Sequence, residues 1–131
     1  MITISDKSRV AVDALVELAI RGDSPPVPIL EIAERRVVAA HTLEQVFGAL
    51  RRSGILQSQR GVRGGYSLRR PADEITILDV VEAVDGPLRE QVPAGLWTEV
   101  RECLVVRLAA TSISDLADAE MRGRSAPMFH I

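Results

Sequence analysis

Residues 34–71 read ERRVVAAHTLEQVFGALRRSGILQSQRGVRGGYSLRRP, and this stretch decides the fold. Leu43, Val46, Phe47 and Leu50 recur at i, i+3, i+4 and i+7, the spacing of one apolar helix face, and predict a helix over about 40–53. Ser53-Gly54 ends it, with Gly54 as a left-handed cap. The runs 55–59 (ILQSQ) and 66–70 (YSLRR) read as two short strands around the loop Arg60-Gly61-Val62-Arg63-Gly64-Gly65. Three glycines there allow a tight hairpin with positive φ, and Pro71 stops the second strand.

Upstream, Ser5 or Asp6 opens a helix over 5–21. Ala11, Ala14, Leu15 and Leu18 form one apolar stripe, and Val12, Val16 and Ile20 form a second. Asp13, Glu17 and Arg21 leave only a narrow polar strip, so this helix is expected to pack between two layers. Pro28 starts a short helix through about Arg35 with Ile29, Leu30, Ile32 and Ala33 on its apolar face. Downstream, Thr76 with Asp79 three residues later is a capping box for a helix over 77–85, which Gly86-Pro87 ends. A long apolar helix over 96–110, a short one over 113–121 capped by Ser112 or Ser114, and a loose tail from 122 to 131 complete the chain. Helix, helix, turn, helix, strand, loop, strand is the order of a winged helix-turn-helix: a mainly α fold with a small β-hairpin.

The composition limits what such a fold does. At 131 residues the chain is one domain's worth, with apolar content of 47% for a core. A lone cysteine, Cys103, excludes an intrachain disulfide. No signal peptide opens the sequence and no run approaches the roughly 18 apolar residues of a membrane span, so a cytoplasmic location is expected. Between residues 35 and 70, Arg35, Arg36, Arg51, Arg52, Arg60, Arg63, Arg69 and Arg70 face Glu44 alone. That local charge of +7 leaves −9 for the rest of a chain whose overall charge is −2. Arginine in this density points to phosphate or base-edge recognition; the alternative is a solvated face laced with salt bridges.

On a helical wheel, the face opposite Leu43, Val46, Phe47 and Leu50 carries His41, Gln45, Gly48 and Arg52, flanked by Thr42, Glu44 and Arg51. Gln45 matches adenine and Glu44 accepts from the cytosine amino group, while Arg52 is assigned to phosphate. Gly48 costs about 1 kcal/mol in mid-helix; close approach of DNA and a packing constraint both explain it. The loop lifts Arg60 and Arg63 to the hairpin tip, which suits a narrow minor groove. A phosphate cradle is excluded by context, since no helix follows and no Lys-Ser/Thr pair ends the loop. No nucleophile–base pair or paired carboxylates indicate an enzyme.

The same stretch resembles the Rrf2 family of bacterial winged-helix transcriptional regulators. The matching elements are Leu43-Glu44-Gln45, Leu50 to Ser58 through Gly54-Ile55-Leu56, and Arg60-Gly61-x-x-Gly64-Gly65-Tyr66-x-Leu68. Similarity extends from Ser5-x-Lys7-x-Arg9-x-Ala11 through Ile75-Thr76-x-x-Asp79-Val80-Val81 to Leu96-Trp97 and Ser114-x-Leu116. The resemblance implies a homodimer on palindromic promoter DNA, most simply a repressor. By position it assigns DNA contact to Glu44, Gln45, His41 and Arg60, with Lys7, Arg9, Thr42, Arg51, Arg52 and Arg63 beside them and Gly61, Gly64, Gly65 and Tyr66 shaping the wing. It also divides the chain into a DNA-binding unit at 1–86, a connecting loop at 87–95 and a dimerisation segment at 96–121. More than one apolar face on the long helix, through Trp97, Val100, Leu104 and Leu108, agrees with a partner helix.

The chain departs from the family where an iron–sulfur cluster is often held. The loop PLREQVPAG at 87–95 has no cysteine or histidine, and Cys103 lies inside the long helix. A clusterless member with no cofactor is expected, sensing through a small-molecule effector or a partner protein. Val10, Thr42 and Ala39 also depart from common residues of the family, which puts its usual target sequence in doubt. A protein-docking module that binds DNA only weakly is the alternative function.

Overall fold

The computed structural model describes residues 4–22, 25–62, 64–91, 95 and 97–125. Expectations that rest on Arg63, Leu96 or the tail from residue 126 lie outside the described residues. Helix α1 (Asp6–Arg21) is the central element, with Ala11, Ala14, Leu15, Val16 and Leu18 buried. It packs against α3 (Ala40–Arg52) and α4 (Ile77–Asp85) on one side and α7 (Ile113–Ser125) on another. Two apolar stripes on one helix therefore have two layers to bury them. Helix α2 (Ile29–Arg36) runs into α3 through a short turn, and strands β1 (Leu56–Gln59) and β2 (Gly65–Leu68) form the wing.

Local chemistry sets most of the boundaries. Ser5 caps α1 by accepting from the Ser8 N–H, and Thr76 and Asp79 form the reciprocal capping box of α4. A second box, between Ser112 and Asp115, opens α7, which makes Ser112 the cap and carries the helix four residues past the expected end at 121. At the end of α3, the Gly54 N–H donates to the Arg51 carbonyl and the Ile55 N–H to the Leu50 carbonyl, both at 3.0 Å. With Gly54 at φ 79° this is a Schellman motif, and it aims the chain directly into β1.

Three features were not expected. A single 3-10 turn spans Ala72–Glu74, and a one-turn helix α5 (Leu88–Gln91) occupies part of the presumed loop. Helix α6 (Thr98–Ala109) presents Val105 to α4, where Val81 and Leu88 complete a small second core. The segment after Gly86 does not form one separate unit. Thr76 and Ser112 pair as a β-bridge, which returns α7 to the main core with Ile113 and Ala117 buried there.

Ser5 and Ser8 also hold the two ends of the chain's first 86 residues together. The Ser5 N–H and hydroxyl donate to the Asp85 carboxylate at 2.9 and 2.6 Å, and the buried Ser8 hydroxyl donates at 2.8 Å. Burial alone would raise the Asp85 carboxyl, but these three bonds outweigh it and hold the pKa below the ordinary 3.8. A depressed native pKa contributes stability above the unfolded value, and that contribution disappears as pH falls through the native value. Asp85→Ala is expected to destabilise by about 1–3 kcal/mol at neutral pH, because the Ser8 hydroxyl is left buried without an acceptor. In thermal melts, the gap between wild type and variant should be constant above pH 5 and shrink below about 4.

Candidate nucleic-acid interface

Helix α3 buries Leu43, Val46, Phe47 and Leu50 completely, so its other side is fixed by the 3.6-residue period. His41, Glu44, Gln45, Arg51 and Arg52 are exposed on it, and Thr42 and Gly48 are partly exposed. The Gln45 amide lies 3.3 Å from the His41 ring nitrogen, so these two side chains already share one orientation. Ala39 at the N-cap supplies no side-chain bond, leaving the first-turn N–H groups of α3 without that partner.

The wing is locked to this helix. Tyr66 packs edge-on against Phe47 with ring centroids 4.8 Å apart, and Ser58 pairs with Tyr66 across the hairpin. Val27 pairs with the outer edge of Tyr66 through two 2.9 Å backbone bonds. The three wing glycines serve different ends. Gly61 has φ 116° in open space and makes the turn. A Cβ at Gly64 would lie 2.3 Å from the Gln59 carbonyl, and one at Gly65 would lie 2.4 Å from Val27 backbone. Those two permit close backbone approach, where freedom of φ alone was expected. At the tip, Arg60 is exposed and Val62 fully so.

The basic block does not lie on one surface. Arg36 donates bidentately to Glu120 at 2.6 and 2.8 Å and to the buried Glu17 at 3.1 Å. Arg21 donates to Glu17 at 2.9 Å and also reaches Glu31, and Arg35 lies 3.9 Å from Glu17. Burial opposes the Arg36 charge, but its carboxylate partners outweigh that, and its pKa lies above the ordinary value. Arg70 donates to the Glu74 carbonyl at 2.6 Å and approaches Asp79 at 3.5 Å. Arg35, Arg36 and Arg70 thus hold helices together, and the salt-bridged reading applies to them. Among the described residues, Arg51, Arg52, Arg60 and Arg69 have no ion-pair partner.

The remaining candidates divide. Lys7 and Arg9 are exposed on the first turn of α1, where Arg9 faces Asp6 at 3.4 Å and borders a groove with Val81 and Leu108. That groove lies between α1, α4 and α6. Trp97 and Val100 are exposed at 59% and 48%, whereas Leu104 and Leu108 pack on the chain's own α4 side. Val106, exposed at 66%, lies on a different side of α6 from Trp97 and Val100 and is not one of the candidates. Arg69 and Val62 are exposed as well, Val62 as an apolar side chain in the wing loop.

The comparisons agree with this geometry. The sequence profile of the Rrf2 family, described as an iron-dependent transcriptional regulator, matches residues 4–119. The HTH-type transcriptional regulator CymR of Bacillus subtilis is 33% identical over 136 residues, covering 98% of this chain and 99% of CymR. The solved structure of CymR, the global cysteine regulator of that organism, superposes with a TM-score of 0.79 over 91% of this chain and 98% of its own. The IscR structure of T. potens, 26% identical, has a TM-score of 0.82 over 97% of this chain and 94% of its own.

The family description names iron, and the donors of this chain do not fit an iron–sulfur cluster. Clusters need about four ligands, mostly thiolates. Cys103 is the one cysteine and is exposed on α6, and His41 is on α3. Among the described residues, no three His, Cys, Asp or Glu side chains converge to hold a metal ion.

The division of arginines is testable. Arg36→Met should lower the melting temperature and leave the slope of log affinity against log salt unchanged, because its charge is already spent inside the fold. Arg51→Ala should leave the melt unchanged and reduce that slope by about 1, the loss of one phosphate contact.

Proposed function

The chain belongs to the Rrf2 family of transcriptional regulators, and from that membership we propose that it binds palindromic promoter DNA as a homodimer and acts as a repressor. It is a DNA-binding regulator and not an enzyme. The observation that carries the finer reading is the exposed face of α3 joined to the wing through Phe47 and Tyr66, with Arg51 and Arg52 free of ion pairs on the helix and Arg60 at the wing tip. In this reading α3 enters the major groove, with Gln45, Glu44, His41 and Thr42 toward base edges. Arg51 and Arg52 flank them, and Arg60 follows the wing into the minor groove. That cationic surface matches the phosphate backbone, which favours DNA over a docking role.

The homodimer reading is supported by the apolar side chains that α6 leaves exposed, Trp97 at its N-cap with Val100 in its first turn, and Val106 on another side. A largely apolar groove of about 260 Å³ lies between α1, α4 and α6, lined by Val12, Ile77, Val81 and Leu108 with Arg9 and Asp13. That groove is where a small-molecule effector would act. The poor donor set supports regulation without an iron–sulfur cluster. No helix among the described residues is long and apolar enough to cross a membrane, which accords with a place in the cytoplasm beside chromosomal DNA.

Selection from a randomised duplex pool is expected to return an inverted repeat. Gln45→Ala and Glu44→Ala should each relax its consensus while non-specific affinity holds, because phosphate contacts carry the latter. Arg60→Ala should weaken the selected site by about 1–3 kcal/mol with the dimer intact in sedimentation. An unstructured consensus, or one identical for all variants, contradicts the assignment. Protein purified without oxygen is expected to contain no stoichiometric iron or sulfide; a cluster absorbance lost in Cys103→Ser would overturn that.

A further inference from the structure

We propose that Gly48 is a specificity-determining position: its missing side chain seats the Arg52 guanidinium on the exposed centre of α3, where it meets a base edge. The proposal rests on the reading of α3 as the helix that enters the major groove, and it changes the role of Arg52 from phosphate contact to base reader.

Glycine in the middle of a helix costs about 1 kcal/mol relative to alanine, so its presence needs a reason. The fold supplies none. Gly48 lies within the regular turns of α3 and has no positive φ that would call for glycine. Packing supplies none either, because a Cβ built at Gly48 meets one atom within 4 Å, the Arg52 Nη1 at 3.3 Å. Of the two explanations open from the sequence, a packing constraint within the chain is removed. What the absent side chain accommodates is the head of an arginine four residues on.

The direction of Arg52 follows from helix geometry. Long side chains on a helix lean toward its N-terminus, so position 52 covers position 48. Arg52 is the last residue of α3, and a side chain extended outward there would hold its charge at the rim, over the sugar–phosphate backbone. Folded back over a bare Gly48, the guanidinium moves one turn inward, onto the strip that also carries Gln45 and His41. Its neighbour does the opposite, with the Arg51 Nη1 reaching the Ser58 hydroxyl at 3.5 Å on the wing side. Among the described residues the Arg52 donors have no hydrogen-bond or ion-pair acceptor, so the whole fork is unspent. A guanidinium with two free parallel donors inside the major groove matches the O6 and N7 of guanine.

The test uses the full chain with Gly48→Ala, Gly48→Gln, Arg52→Ala and the double variant Gly48→Gln/Arg52→Ala. Each is titrated at fixed salt against the selected duplex and against an unrelated one, and each is melted. Gly48→Ala should melt higher than wild type yet bind the selected duplex more weakly. Gly48→Gln fills the seat and should lose on the order of tenfold on the selected duplex, with little change on the unrelated one. Pool selection with Gly48→Gln and with Arg52→Ala should lose preference at the same G·C pair. The double variant should bind no more weakly than Arg52→Ala alone. Wild-type affinity in Gly48→Gln overturns the proposal, as does an equal loss from that substitution in the Arg52→Ala background, which would mean the DNA itself needs the space. Arg52→Ala weakening both duplexes equally also overturns it, since that is the signature of a phosphate contact. Failure confined to Gly48 and Arg52 leaves the reading of α3 standing, whereas unchanged binding by Gln45→Ala and Arg60→Ala as well removes that reading.

Discussion

Glu17 is a carboxylate in the middle of the central helix α1, 3% exposed. A charge in that position must be paired, because leaving it alone after removal of one partner typically costs about 3–5 kcal/mol. Its partners are Arg21 on the same helix and Arg36 at the end of α2, and Arg36 in turn grips Glu120 on α7 with both guanidinium arms. Glu17 therefore fixes the position of α2 against α1, and through Arg36 the position of α7. Since α2 leads into α3 in three residues, the same pairing constrains the position of α3. The Glu120 carboxyl is held below its ordinary range chiefly by the Arg36 hydrogen bond, as a structural ion pair requires.

That constraint also decides what the basic surface is made of. A stretch with a local charge of +7 contains arginines that brace helices and arginines that face outward. Arg36 can do only the first, and Arg51, Arg52, Arg60 and Arg69 are free for the second. The carboxylate Glu44 among the outward group opposes phosphate, which is why the proposed reading gives base contact to α3 and general attraction to its edges and the wing. The wing follows α3 as one body because Tyr66 is clamped between Phe47 on one side and the Val27 backbone on the other.

Most of this architecture is legible along the chain because it is local. Leu43 to Leu50, Thr76 with Asp79, and Gly54 declare themselves by spacing, and their elements fall within a few residues of the expected ends. The pairings that arrange those elements are not local. Asp85 receives Ser5 from 80 residues away, and Glu120 receives Arg36 from 84 residues away. Nothing in one sequence distinguishes Arg36 from Arg35 until the fold brings Glu120 to it. Val37, left-handed at φ 55° and 89% exposed in the helix-turn-helix turn, is equally silent, because a β-branched residue is the least expected choice there. Gly64 and Gly65 were recognisable as a turn signal, but the carbonyl and backbone that exclude a Cβ come from Gln59 and Val27. The candidate site was legible on α3, where one apolar face defines the other. It was less so on α6, where apolar residues point both to α4 and outward.

The central claim is that the exposed face of α3 and the wing tip together form the DNA-reading surface. A crystal structure of the chain with a duplex recovered by selection tests it most directly. The account predicts α3 in the major groove with Gln45 and Glu44 within hydrogen-bond reach of base edges, and Arg60 in the adjacent minor groove. A complex in which the DNA crosses another surface, leaving α3 in solvent, would contradict it.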